Sequence, residues 1–117
     1  MRNFNKLEQT WLHLMLDVEF LGRDILKNQL SSAKVIDEDI NFSNYSLILR
    51  TDSPEPYPLS ERVPLIMQAY QFNGIPIEFL LHMVDGFVAE LELYNAAGDA
   101  LDIHQISLEN LKFEIRV

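Results

Sequence analysis

The chain has no cysteine among its 117 residues. That excludes a disulfide framework and any thiolate-based zinc site. Its four glycines stand alone at 22, 74, 86 and 98, so no glycine-rich phosphate loop is present. No apolar run reaches the roughly 18 residues of a membrane span. The opening MRNFNKLEQT lacks the charged-then-apolar layout of a signal peptide. The expectation is a soluble, cytoplasmic protein without membrane contact. Basic residues are scarce, nine against eighteen acidic ones, for a net charge of −9. Nucleic-acid binding needs clustered Lys and Arg, so that class is set aside.

What remains is 48% hydrophobic, enough to fold one domain over residues 1–117 around a core. The charge is uneven. Residues 1–52 hold six basic and eight acidic side chains, a balance of −2, and residues 53–117 hold three and ten, a balance of −7. Between Arg62 and Lys112 there is no Lys or Arg, while Glu78, Asp85, Glu90, Glu92, Asp99, Asp102 and Glu109 all fall there. A surface built from that stretch attracts cationic partners and repels nucleic acid.

Hydrophobic spacing divides the chain. Leu7, Trp11, Leu14, Met15 and Val18 recur at threes and fours, the mark of an amphipathic helix, with Asn5 and Glu8 placed as a capping pair. Gly22 interrupts, and a second helix is predicted from Asp24 to Ser31. The period then falls to two. Lys34–Asp37 is a modest strand, Tyr45–Arg50 a better one, and Asp37-Glu38-Asp39 reads as a charged turn. Pro54, Pro56 and Pro58 make an extended loop, because alternating prolines cannot feed a sheet ladder.

Asn73-Gly74 and Asp85-Gly86 divide Arg62–Asn95 into a three-stranded meander. Three-residue loops ending on each glycine give one apolar face. They pair Ala69 with Ile77 and Met67 with Phe79, then Met83 with Phe87, Leu81 with Ala89, Phe79 with Leu91 and Ile77 with Leu93. The other face then carries Arg62, Pro64, Ile66, Gln68, Tyr70, Glu78, Leu80, His82, Val84, Val88, Glu90, Glu92 and Tyr94, with Glu78 opposite Glu92. Ala96–Asp99 is a turn, and Leu108–Val117 alternates as a last strand at an edge. Trp11, Phe4, Phe20 and Phe42 are read as core or staple residues. The fold class is α+β: N-terminal helices packed on one face of a mainly antiparallel sheet.

No catalytic signature stands out. His13, His82 and His104 have no ligand spacing, and Ser60 lacks a nucleophile-elbow surround. His82 beside Asp85 has the make-up of a general-base pair, and Glu78, Glu90 and Glu92 that of a divalent-cation site. Both are more often plain surface features, and neither a metal nor a cofactor is expected.

FLGRDILKNQL at 20–30, the Arg62-Val63-Pro64 triplet and IEFLLHMVDGFVAELELYNAAGDAL at 77–101 resemble a family of small, functionally uncharacterised bacterial domains. The matching residues are Gly22, Arg23, Asp24, Gln29, Arg62, Pro64, His82, Asp85, Gly86, Glu90, Glu92 and Tyr94. The chain departs in having Asn73-Gly74 where Asp-Gly is usual, and Met83 inside the L-L-H-x-V-D-G run. In size and acidity it also resembles, more loosely, immunity proteins of contact-dependent and polymorphic toxin systems. The expectation is therefore a non-catalytic binder of a basic toxin domain, using Tyr70, Glu78, His82, Glu90, Glu92 and Tyr94. Alternatives are a homodimeric interaction module using an exposed strand edge, and a small ligand-binding or enzymatic domain using Arg23, Asp24, His82 and Asp85.

Overall fold

A computed structural model describes residues 1–116. Two helices, α1 (Lys6–Met15) and α2 (Arg23–Ser31), precede six strands: β1 (Lys34–Ile40), β2 (Asn44–Arg50), β3 (Leu65–Gln71), β4 (Pro76–Val84), β5 (Phe87–Asn95) and β6 (Ile106–Ile115). All strand pairs are antiparallel, in the order β1-β2-β5-β4-β3-β6. This is the expected α+β fold, with the meander β3-β4-β5 at its centre.

The capping pair forms: the Asn5 side chain accepts from the Glu8 N–H, and the Glu8 carboxylate accepts from the Asn5 N–H, each at 2.9 Å. Helix α1 ends at Met15, three residues short of the expected Val18. Its hydrogen bonds tighten there, and the Asp17 N–H donates to the carbonyl of Leu14 instead of continuing the ladder. Gly22, at φ 86°, starts α2; a Cβ there would lie 2.4 Å from the Tyr57 ring.

Odd-numbered positions of β3 and β4 turn inward. Leu65, Met67, Phe79, Leu81, Leu91 and Leu93 are fully buried with Trp11, Met15 and Leu26 from the helices. Trp11 makes edge-on contacts with Tyr45 and Phe79, ring centres 5.6 Å apart in each case. Phe4 and Phe20 pack at the rim of this core. Phe42, expected there, is 69% exposed, because it sits in the β1–β2 turn rather than on a strand face.

The Phe72–Gly74 loop has the expected three residues and pairs Ala69 with Ile77 and Met67 with Phe79. The second hairpin differs. Asp85 (φ 52°) and Gly86 (φ 86°) form a two-residue turn between Val84 and Phe87. Two successive left-handed residues match the strand twist. A bulge at Ala89 then restores the inward parity: Met83 pairs with Val88, Leu81 with Leu91, Phe79 with Leu93 and Ile77 with Asn95. The expected partners are thus displaced by two residues in the body of the hairpin. Val88, assigned to the outer face, is buried in the core.

Two further expectations change. Asp37, Glu38 and Asp39 lie within β1, not in a turn, because an edge strand tolerates charge. The last strand begins at Ile106, two residues before the expected Leu108, and lies at the sheet edge beside β3. Val117, assigned to that strand, lies outside the described residues.

A candidate protein-binding face

The helices cover the inner face, and the outer face is ordered in rows by the strand register. Gln68, Glu78, Tyr94 and Asn44 form one row, and Ile66, Leu80, Glu92 and Ser46 the next. His82, Glu90 and Ile48 form a third. Directly opposed residues share a face, so these side chains form one surface. Five of the six expected site residues fall in these rows. Tyr70 lies at one end of the same face, opposite Pro76, with the Lys112 ammonium 5.6 Å from its ring centre. Glu78 stands opposite Tyr94 rather than Glu92, a consequence of the displaced hairpin register.

Each central carboxylate takes one donor from its own face. The Ser46 hydroxyl donates to Glu90 at 2.6 Å, His82 Nε2 meets Glu92 at 2.9 Å, and the Tyr94 hydroxyl donates to Glu78. That last bond, with burial second, pushes the Tyr94 hydroxyl pKa up to about 12. Among the described residues no Lys or Arg forms an ion pair with Glu78, Glu90 or Glu92. Ser and Tyr donors orient a carboxylate without removing its charge. A neutral His82 does the same; a protonated one would offset a single charge. A carboxylate offers about four acceptor sites, so one internal donor leaves room for a partner's cation.

The register adds two residues that the sequence reading left out. Asp37 opposes Ile48 and Asp39 opposes Ser46, which puts both on the outer face in the rows of Glu90 and Glu92, one strand beyond β2. The available signal was their two-residue spacing. It was outweighed by the density of charge, which resembles a turn. Basic residues lie at the borders of this surface: Lys34 and Arg50 at one end, Lys112 beyond Gln68 along β6.

His82, Glu90 and Glu92 bring one ligand atom each to within 4.8 Å of one another. An imidazole and two carboxylates on one open face are a donor set suited to a divalent cation. The enzymatic alternative finds less. His82 meets Glu92 rather than Asp85. Arg23 and Asp24 border a groove with residues 19–25, Asp85 borders another with Pro56, Tyr57 and Arg62, and His82 lines neither. The four side chains are not brought together.

Several residues of the resembled pattern have structural work instead. Gln29 is fully buried; its amide donates to the carbonyls of Glu55 (3.0 Å) and Gly86 (2.9 Å) and accepts from the Val88 N–H (2.9 Å). It ties α2 to the proline loop and to the β4–β5 turn. Comparison with family models, curated proteins and solved structures returned no match to this chain. Among the described residues no helix is long and apolar enough to cross a membrane.

Proposed function

We propose that this chain is a non-catalytic, acidic protein-binding domain, most concretely an immunity protein that occludes a basic toxin domain with its outer sheet face. The observation that carries this reading is the set Glu78, Glu90 and Glu92. The three are oriented by donors of their own face and lack Lys or Arg partners among the described residues. Charges held in place lose little freedom on binding, and that raises affinity. Leu80 and Tyr94, both half-buried, sit between and beside them and supply apolar contact area. The field of the surface would speed encounter with a cationic partner.

The test uses the product of a toxin-like reading frame adjacent to the gene. Co-expression of this chain is expected to rescue growth, and the purified pair to bind in a salt-dependent manner. Glu90→Lys with Glu92→Lys is expected to weaken that binding by about 100-fold. Absence of rescue, or full rescue by the correctly folded double variant, overturns the reading.

A further inference from the structure

We propose that a second copy of this chain docks antiparallel along the outer edge of β6, with the two-fold axis passing at Phe113. The inference is independent of the acidic face, because it uses the opposite end of the sheet.

Strand β6 is the last in the sheet, paired on one side with β3 through Leu65–Ile115, Ile66–Glu114, Met67–Phe113 and Gln68–Lys112. The Arg116 N–H donates to the Pro64 carbonyl at 2.9 Å. Backbone groups alternate sides along a strand. Lys112, Glu114 and Arg116 therefore turn theirs toward β3, and Leu111, Phe113 and Ile115 turn theirs outward. Among the described residues no strand pairs with that outer side. It offers N–H and C=O groups at three alternate residues, as a pairing strand requires.

Side-chain placement selects the occupant. Phe113 opposes Met67 and Ile115 opposes Leu65, both fully buried core residues, so β6 continues the inner face. Yet Phe113 is 37% exposed: the core ends there in an open apolar rim. A second β6, related by a two-fold axis normal to the sheet, places its own rim against this one. Both helix layers then stay on the same side.

Charge fixes the register. Only a symmetric pairing of like-parity residues matches both faces and hydrogen bonds. Centring on Lys112 sets Lys112 against itself. Centring on Glu114 sets Glu114 against itself and Lys112 against Arg116. Centring on Leu111 runs into the irregular stretch at Asn110, whose φ is 56°. Centring on Ile115 carries Leu111 and Phe113 past the end of the partner's β6. Centring on Phe113 sets Lys112 against Glu114 twice, Leu111 against Ile115 twice, and Phe113 against Phe113. Opposite charges directly across a strand pair stabilise it, and like charges do the reverse. Glu114 already meets Arg116 of its own strand at 2.9 Å, and its carboxylate has acceptor sites left for the second copy's lysine.

The other sheet edge does not offer this. Arg2 pairs with Val35 on the open side of β1, and Asp37, Glu38 and Asp39 would face like charges in a second copy. An interface of about five paired residues per copy is small, so the dimer is expected to be weak, with a Kd of order 10–100 μM.

The chain contains no cysteine, which makes the test direct. Sedimentation of the unaltered protein should show a monomer–dimer equilibrium between about 5 and 500 μM, given that affinity. Phe113→Cys should form a disulfide-linked dimer under mild oxidation, since directly opposed residues lie about 5.5 Å apart at Cα, within disulfide reach. Ser31→Cys, on helix α2, should cross-link far more slowly. A mixture of Lys112→Cys and Glu114→Cys should give the mixed dimer ahead of either self-dimer. Lys112→Glu should abolish association, and Lys112→Glu with Glu114→Lys should restore it. A protein that stays monomeric across the range, Phe113→Cys that cross-links no faster than Ser31→Cys, or a dimer that survives Lys112→Glu overturns the proposal.

Discussion

Glu8 shows what a single residue contributes here. Its side chain is fully buried, and the carboxylate is met by Arg2 through two bonds of 2.7 and 2.8 Å, by the Tyr45 hydroxyl at 2.6 Å and by the Asn5 N–H. Burial pushes its pKa up, but the Arg2, Tyr45 and Asn5 hydrogen bonds outweigh that and hold it below the usual carboxylate value of 4.5. Conversely, burial and then the Glu8 bond push the Tyr45 hydroxyl up. A depressed carboxylate contributes stability that is complete above its unfolded value and is lost as pH falls through the folded one. Denaturant melts should therefore show stability falling steadily below about pH 4.5. Glu8→Gln should be less stable at pH 7 and flatter with acid. Arg2→Ala, which strands a buried charge, is expected to cost about 3 kcal/mol at pH 7. A loss under about 0.5 kcal/mol, typical of an exposed pair, would show that the network is only a surface contact.

At the scale of elements, the two hairpins allow a controlled comparison. Gly74 and Gly86 have nearly the same left-handed backbone, φ 85° and 86°. A Cβ at Gly74 meets nothing within 4 Å, whereas one at Gly86 lies 2.9 Å from Pro56 Cβ and 3.3 Å from the Tyr57 carbonyl oxygen. Alanine at 74 should cost only the backbone strain, about 1 kcal/mol. Alanine at 86 should cost that and more, since the proline loop must also shift and the Tyr57 N–H bond to Gly86 (2.7 Å) stretches with it. Equal losses in urea melts would show that the loop gives way freely.

The same hairpins mark how far the sequence could be read. Alternation of apolar residues over Leu65–Gln71 and Pro76–Val84 was enough to name the inner face, because inward residues there are uniformly apolar. Parity could not distinguish a three-residue loop from a two-residue turn followed by a bulge at Ala89, since both put the same set of residues inward downstream. Hence most outer-face residues were legible, but their partners in β5 and the burial of Val88 were not. The start of β1 was legible as Lys34–Asp37, but its acidic continuation to Ile40 was read as a turn, because an edge strand with charge on both faces has no period to detect. The placement of Arg2 against Glu8 depends on contact between the N-terminus and β1, which no local pattern records.

At the scale of the whole molecule, charge is segregated across one sheet face. Asp37, Asp39, Glu78, Glu90 and Glu92 occupy its middle, while Lys34 and Arg50 lie at one end of β1 and β2, and Lys112, Glu114 and Arg116 at the β6 edge. A chain of net charge −9 that gathers like charges stores repulsion in its folded state. A solvating surface would avoid that by interspersing signs. The stored repulsion is measurable without knowing the partner. Glu90→Gln keeps an acceptor for the Ser46 hydroxyl and removes one charge from the cluster. It should raise Tm by about 2 °C at low salt, equivalent to roughly 0.5 kcal/mol for a domain this size. The advantage should shrink as ionic strength approaches 0.5 M, where screening lengths fall to about 4 Å. A surface that gives up stability in this way is one whose charge serves association rather than folding. If Glu90→Gln is instead destabilising at every salt concentration, the Ser46–Glu90 bond outweighs the repulsion. The cluster is then a structural network, and the case for it as a docking face fails.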